Sequence, residues 1–140
     1  MHISAFVPTL QLAPIDIMLS QWKHVYDEAQ KGGPAFGLFA SLSFLFTAYT
    51  LRQERPSADA TWKTFAILAA LPVAIVPYTL FVMSPTDKTL LDAEASPKPL
   101  SPASEKSARE AIGLWAKLNQ IRGMFPLTAG VIGLWTVFSM

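Results

Sequence analysis

Three stretches of this chain contain no charged side chain: 20 residues at 32–51, 23 at 64–86 and 18 at 123–140. All 21 Asp, Glu, Lys and Arg residues fall outside them. An α-helix of about 20 residues rises about 30 Å, the thickness of a bilayer's hydrocarbon core. Three such blocks in 140 residues leave little room for any architecture other than membrane-crossing helices. The chain is 51% hydrophobic and 15% charged, against about 25% charged in an average soluble domain. A soluble globular domain, a disulfide scaffold and a disordered tail are all excluded.

The rest of the composition narrows the chemistry. Cysteine is absent, which removes disulfides, thiolate metal sites and cysteine nucleophiles. A net charge of +1 gives no footprint for nucleic acid. Residues 1–15 are uncharged but interrupted by Pro8 and Pro14, and they lack the basic start of a signal peptide. They read as an interfacial or re-entrant segment, or as the end of a longer hydrophobic helix.

The expected fold is all-α, a polytopic membrane helical bundle forming one domain over residues 1–140. Its three transmembrane helices lie at about 32–51, 64–83 and 123–140, preceded by the short N-terminal hydrophobic segment. Gly33-Pro34 suits a helix start, because proline is tolerated in the first turn. Pro56 closes the first span, and residues 56–63 form a polar turn before Trp62 meets the interface. Pro72 and Pro77 predict a kink in the second span, with the Thr79 hydroxyl placed to help satisfy the backbone. Residues 84–107 hold four prolines and mixed charges and are read as a loop. An amphipathic helix follows at 108–122, with Ser107 and Glu110 spaced as a capping box and Gly123 as its end or hinge.

Three spans put the N-terminal segment and residues 84–122 on one side of the membrane and the 52–63 turn on the other. The first side carries eight Lys and Arg, the short turn three, and this leaves the orientation open. Parity also gathers three polar aromatic clusters near one face. The first is Trp22-Lys23-His24-Val25-Tyr26. The second is Pro77-Tyr78-Thr79, with Met83 to Asp87 beyond it. The third is Trp115, Leu118, Asn119 and Arg122, which at about 100° per residue share one helical stripe. A tryptophan, an amide and a guanidinium on one face make a wall for an aromatic polar ligand, and the arginine suits a phenolate or oxyanion.

Each cluster also has a plainer reading. Trp22, Tyr26 and Trp62 fit membrane-interface anchors. His24 is the only histidine besides His2, too few for a metal site, though an imidazole suits a general base. Asp87 could cap a loop, and Arg122 could pair with a lipid phosphate. No phosphate-binding glycine loop, dinucleotide fingerprint, HExxH or GxSxG sequence is present.

The ordered set Trp22, Tyr26, Gly33-Pro34, Pro72, Pro77-Tyr78-Thr79, Met83, Pro85-Thr86, Leu90, Trp115, Leu118-Asn119 and Arg122 resembles the anthrone oxygenase family. These are small integral membrane proteins of fungal aromatic polyketide biosynthesis, with a related bacterial domain of unknown function. The resemblance covers roughly residues 20–135. Two features depart from it. The family usually has asparagine where this chain has Asp87, and usually about four spans, of which residues 3–15 match only the end of the first.

The resemblance implies an oxidoreductase that converts a polyphenolic anthrone, such as emodin anthrone, to the anthraquinone. Dioxygen would be the co-substrate, with neither a bound cofactor nor a metal. His24 or Asp87 would accept a proton, while Arg122 with Asn119 would stabilise the oxyanion. Trp22, Tyr26, Tyr78 and Trp115 would hold the rings. The expected partners are an aromatic polyketide and membrane lipid, with no nucleic acid, in a multi-pass protein. The competing readings are a non-enzymatic scaffold or lipid-binding membrane protein and, less well supported, a transporter, since no charge lies inside a span.

Overall fold

The computed structural model describes residues 11–54 and 60–140, all helix and connecting turn with no strand among them. The expectations for residues 1–10 and for the middle of the polar turn lie outside these residues.

The first helix, α1 (Ile15–Glu54), is 40 residues long and contains Pro34. Gly33-Pro34 is therefore not a helix start, and the polar aromatic stretch and the first span form one element. A mid-helix proline removes one backbone hydrogen bond and costs about 3 kcal/mol. Here it sits between two long helical stretches. The one before it is reinforced by ion pairs at helical spacing, Lys23 with Asp27 at 2.6 Å and Lys31 with Glu28 at 2.5 Å.

The second apolar block does kink, in several places. It runs as α2 (Thr61–Leu68), α3 (Ala70–Val73) and α4 (Ile75–Tyr78), then a π-helical turn (Thr79–Met83) and α5 (Ser84–Ala95). Pro72 and Pro77 have no N–H to offer the carbonyls four residues back, so the helix is interrupted at Ala69 and Ala74. Ser41 Oγ donates to the Ala69 carbonyl at 2.7 Å, the kind of side-chain repair that lets a broken helix persist in an apolar medium. Thr79 does not serve the kink; its hydroxyl accepts a hydrogen bond from Arg122 instead.

Residues 84–107 are not one loop. Pro85 lies in the first turn of α5, where its missing N–H costs nothing. The other prolines, Pro97, Pro99 and Pro102, gather in the connection and at the start of the next helix. That helix, α6 (Pro102–Phe138), is 37 residues long and joins the expected amphipathic helix to the third span. Gly123 neither ends nor hinges it. Ser101, not Ser107, caps it, with Ser101 Oγ accepting the Ser104 N–H at 3.2 Å.

Three helical stretches among the described residues, Ile15–Glu54, Thr61–Ala95 and Pro102–Phe138, are long and apolar enough to cross a bilayer. The chain forms two compact units, residues 1–31 with 78–122 and residues 32–77 with 123–140. In the second unit the buried core is small: Ala48, Phe65, Leu68 and Ala129. Its large apolar side chains point outward, with Phe36 77%, Phe39 73% and Trp135 73% exposed. Such a surface is unstable in water and ordinary against lipid tails. Close approach inside this unit depends on small residues. A Cβ on Gly37 would stand 3.4 Å from the Pro72 carbonyl, and one on Gly133 would stand 3.0 Å from the Phe44 ring.

The first unit is built the other way round. Met18, Leu19, Trp22, Met83, Leu90, Ile112 and Trp115 fill its core. Arg109 ties the start of α1 to α6: its Nη1 donates to the Gln11 carbonyl at 2.8 Å and its Nη2 to the Ala13 carbonyl at 3.2 Å, with Glu105 as its ion-pair partner.

Candidate active site

All three polar aromatic clusters fall in the first unit. On α1, Trp22 and Tyr26 are one turn apart and stack with ring centroids 5.1 Å apart. Trp22 is fully buried and meets Trp115 of α6 edge-on at 6.0 Å and 83°. Offset stacking and edge-to-face packing are the two arrangements that ring quadrupoles favour, each worth about 0.5–1.5 kcal/mol beyond the area buried.

The π-helical turn sets which residues of α4 and α5 face this aromatic wall. In a regular helix Tyr78 and Asp87, nine residues apart, would lie about 180° apart. The Ser84 N–H instead bonds to the Thr79 carbonyl, five residues back. One residue is absorbed, and the separation falls to about 80°. Tyr78 and Asp87 thus share a face. Tyr78 donates its hydroxyl to the Leu118 carbonyl of α6 at 3.2 Å and lies within electrostatic reach of Arg122. Asp87 is only 6% exposed and lies within electrostatic reach of Arg122, the Trp115 indole and Tyr26.

Asp87 and Arg122 do not close on each other. The ion pairs among the described residues are Lys23–Asp27, Glu28–Lys31, Glu105–Arg109 and Lys106–Glu110, so Asp87 and Arg122 have no N···O contact within 4 Å. Arg122 makes one long hydrogen bond, Nη1 to Thr79 Oγ1 at 3.5 Å, although a guanidinium has five N–H donors.

Four buried polar atoms among the described residues have no partner: Trp22 Nε1, Asp87 Oδ1, and Asn119 Oδ1 and Nδ2. Folded proteins satisfy the large majority of such groups, because leaving one unpaired costs about 1–3 kcal/mol. Here all four belong to the residues singled out in the sequence. Asp87, Arg122 held apart from it, the unpaired Asn119 amide and the rings of Trp22, Tyr26, Tyr78 and Trp115 all lie in this one unit.

Seven of the eight expected site residues therefore belong to one cluster: Trp22, Tyr26, Tyr78, Asp87, Trp115, Asn119 and Arg122. His24 does not. It is exposed, and about 200° around α1 from both Trp22 and Tyr26. Two contacts were not foreseen, Thr79 as the partner of Arg122 and Arg109 as the tie to the start of α1. Both join residues far apart in sequence, which no helical period reveals. No group of three or more His, Asp or Glu placed to hold a metal ion occurs among the described residues. A cavity of about 380 Å³ opens at the far end of α5, lined by Thr89, Asp92, Ser96, Leu100, Ser104 and neighbours, and includes none of the clustered residues.

The profile of the anthrone oxygenase family matches residues 22–132, a stretch that starts at Trp22 and contains every residue of the cluster. The chain belongs to the anthrone oxygenase family. Among named relatives, the monooxygenase hypC of Dothistroma septosporum is 29% identical over 117 residues, covering 84% of this chain and 61% of hypC. Anthrone oxygenase encC of Aspergillus fumigatus is 28% identical over 134 residues, covering 88% of this chain and 71% of encC. The noranthrone monooxygenase of Aspergillus flavus is 25% identical over 118 residues, covering 84% of this chain and 54% of that protein. The chain thus spans roughly half to seven tenths of the length of these relatives. No solved structure matches it. Within this anthrone oxygenase family member, the matched region takes in residues from both compact units, including all of Thr61–Ala95 and most of the two longest helices.

Proposed function

We propose that the protein is a multi-pass membrane oxidoreductase that converts an anthrone to its anthraquinone with dioxygen, using neither a metal nor an organic cofactor. Membership of the anthrone oxygenase family supports the reaction class, and the outward-facing apolar unit supports the bilayer location. The observation that carries the mechanism is Asp87, buried, and Arg122, half-buried, opposite charges within electrostatic reach of each other and held out of contact.

Asp87 removes a proton from the doubly benzylic methylene, and the electron pair spreads onto the ketone oxygen as an enolate. Arg122, with most of its donors uncommitted, and the Nδ2 of Asn119 stabilise that oxygen. The electron-rich enolate passes one electron to dioxygen. The resulting carbon radical and superoxide combine in a C–O bond, giving a peroxide at the former methylene carbon. Loss of the second C–H proton, with cleavage of the O–O bond, yields the new C=O and one water. One dioxygen is consumed, and the atoms balance without any other oxidant. Trp22, Trp115, Tyr26 and Tyr78 supply ring faces for a planar substrate arriving through lipid.

The test is quinone formation in membranes from a host lacking this chemistry, fed an anthrone under oxygen and compared with the spontaneous rate. Turnover above background that survives chelator treatment and is lost in Arg122→Ala supports the reading. A wild-type rate equal to background would show that the cluster serves a membrane scaffold and not an enzyme.

A further inference from the structure

The mechanism above leaves two buried polar atoms unused, Trp22 Nε1 and Asn119 Oδ1. Asn119 is 7% exposed, and its amide has no hydrogen-bond partner at either end. Both ends are unpartnered, so the conclusion holds whichever way round the amide lies. One end donates and the other accepts. The donor matches a ketone or enolate oxygen. The acceptor matches only a ligand O–H or N–H, and a ketone has none.

The other groups in the cluster do not take its place. Arg122 and the Trp22 indole are donors only. Asp87 Oδ1 is also an unpartnered acceptor, and the proposed reaction assigns it to the C–H. Trp115, one turn before Asn119 on α6, packs edge-on against Trp22, so the amide borders the wall on which a flat ring would lie.

We propose that Asn119 is a specificity-determining residue that reads two adjacent oxygens on the substrate edge, a ketone through Nδ2 and a neighbouring hydroxyl through Oδ1. This inference rests on the oxygenase reading and narrows it to anthrones with a free hydroxyl beside the ketone.

The experiment compares two anthrones with the same ring system, one with that hydroxyl and one with hydrogen in its place, each corrected for spontaneous oxidation. A site built to bond a hydroxyl disfavours the analogue without it, and the wild-type protein is expected to prefer the hydroxylated substrate by about 100-fold in kcat/KM. Asn119→Leu has nearly the same volume and removes an amide with no protein partner, so it should melt no lower than wild type. It should bring the two substrates to within about threefold, since leucine leaves no acceptor to tell a hydroxyl from hydrogen. Asn119→Asp keeps an acceptor and loses the donor. It should slow both substrates while retaining a preference for the hydroxylated one. If Asn119→Asp alone folds, that retained preference is the deciding result. Turnover of both substrates without discrimination by the wild type, or an unchanged ratio in Asn119→Leu, overturns the inference and leaves the oxygenase reading intact. Turnover of neither by the wild type overturns the oxygenase reading and this inference with it.

Discussion

The two compact units use the same residue types in opposite ways. In the unit of residues 32–77 and 123–140, only five charges occur, all between positions 52 and 63, and the large apolar side chains face outward around a core of alanines, Phe65 and Leu68. In the unit of residues 1–31 and 78–122, aromatic and aliphatic side chains fill the core and enclose Thr86, Asp87 and Asn119 with them. An apolar surface over a small-residue core is the solution for a lipid environment, where packing and not hydrophobic burial joins helices. Polar atoms kept dry and unpaired inside an otherwise well-filled core lower stability, and they persist where a ligand completes them. Charge placement separates the two roles along one chain.

Substitutions within the polar unit should break that contrast most severely. Asp87→Asn keeps the shape and removes the proposed base, and turnover of an anthrone should fall by about 100-fold to 10,000-fold, the range of general-base catalysis. The check is initial quinone formation at equal protein levels, with helix content by circular dichroism held as the control. The family's usual asparagine at this position makes the measurement sharper. If Asp87→Asn is fully active, the proton acceptor lies elsewhere and the comparison of units loses its chemical half. Arg122→Ala comes next, at about 100-fold to 1000-fold, as for the loss of an oxyanion donor. Arg122→Lys should recover part of this, because it restores the charge but not the forked donors.

Much of this contrast was legible before any coordinates, and the physical reasons are specific. Lipid demands long uncharged blocks, so the three spans follow from charge placement alone. The stripe of Trp115, Asn119 and Arg122 is simple helical arithmetic, and α6 places those three residues in the cluster. In the 84–107 stretch the positions of the prolines matter more than their number. Pro85 sits in a first turn, where it is harmless, and the rest gather at a helix junction, so α5 between them was hidden. The π-helical turn was also invisible, since it depends on one backbone hydrogen bond from Ser84 to Thr79. Without it Asp87 would face away from Tyr78. Its position could be inferred only through the family resemblance.

A smaller effect tests the opposite solvents. Ile112 is fully buried in the polar unit and Phe65 nearly so in the apolar unit. Ile112→Ala should cost about 2–5 kcal/mol. Phe65→Ala, which would cost about 3–5 kcal/mol in a water-soluble core, should cost less here, because lipid tails are as apolar as the side chain they replace. Thermal inactivation in lipid nanodiscs gives both values. A Phe65→Ala loss as large as in soluble proteins would mean that the apolar unit is sealed against another protein surface and not against lipid.

The smallest expected effect is at His24, and it is the most direct test of which residues the first unit recruits. As the only histidine besides His2, it has the ordinary chemistry of a general base. Its place on α1 argues otherwise. Trp22 and Tyr26 point into the core and stack, and His24 lies about 200° around the helix from each of them, exposed. For its imidazole to reach a ring held by Trp22 and Trp115, α1 would have to rotate by half a turn and pull a fully buried tryptophan into the open. That movement would forfeit the burial of a whole aromatic side chain, about 1.5–3 kcal/mol even before the two ring contacts are counted. His24→Ala should therefore change anthrone turnover by less than about twofold, with the pH profile of kcat/KM unchanged, since proton transfer by a positioned base is worth about 100-fold or more. A profile that loses its limb near neutral pH in this variant would place the base on α1 and require a different arrangement of the helix from the one described.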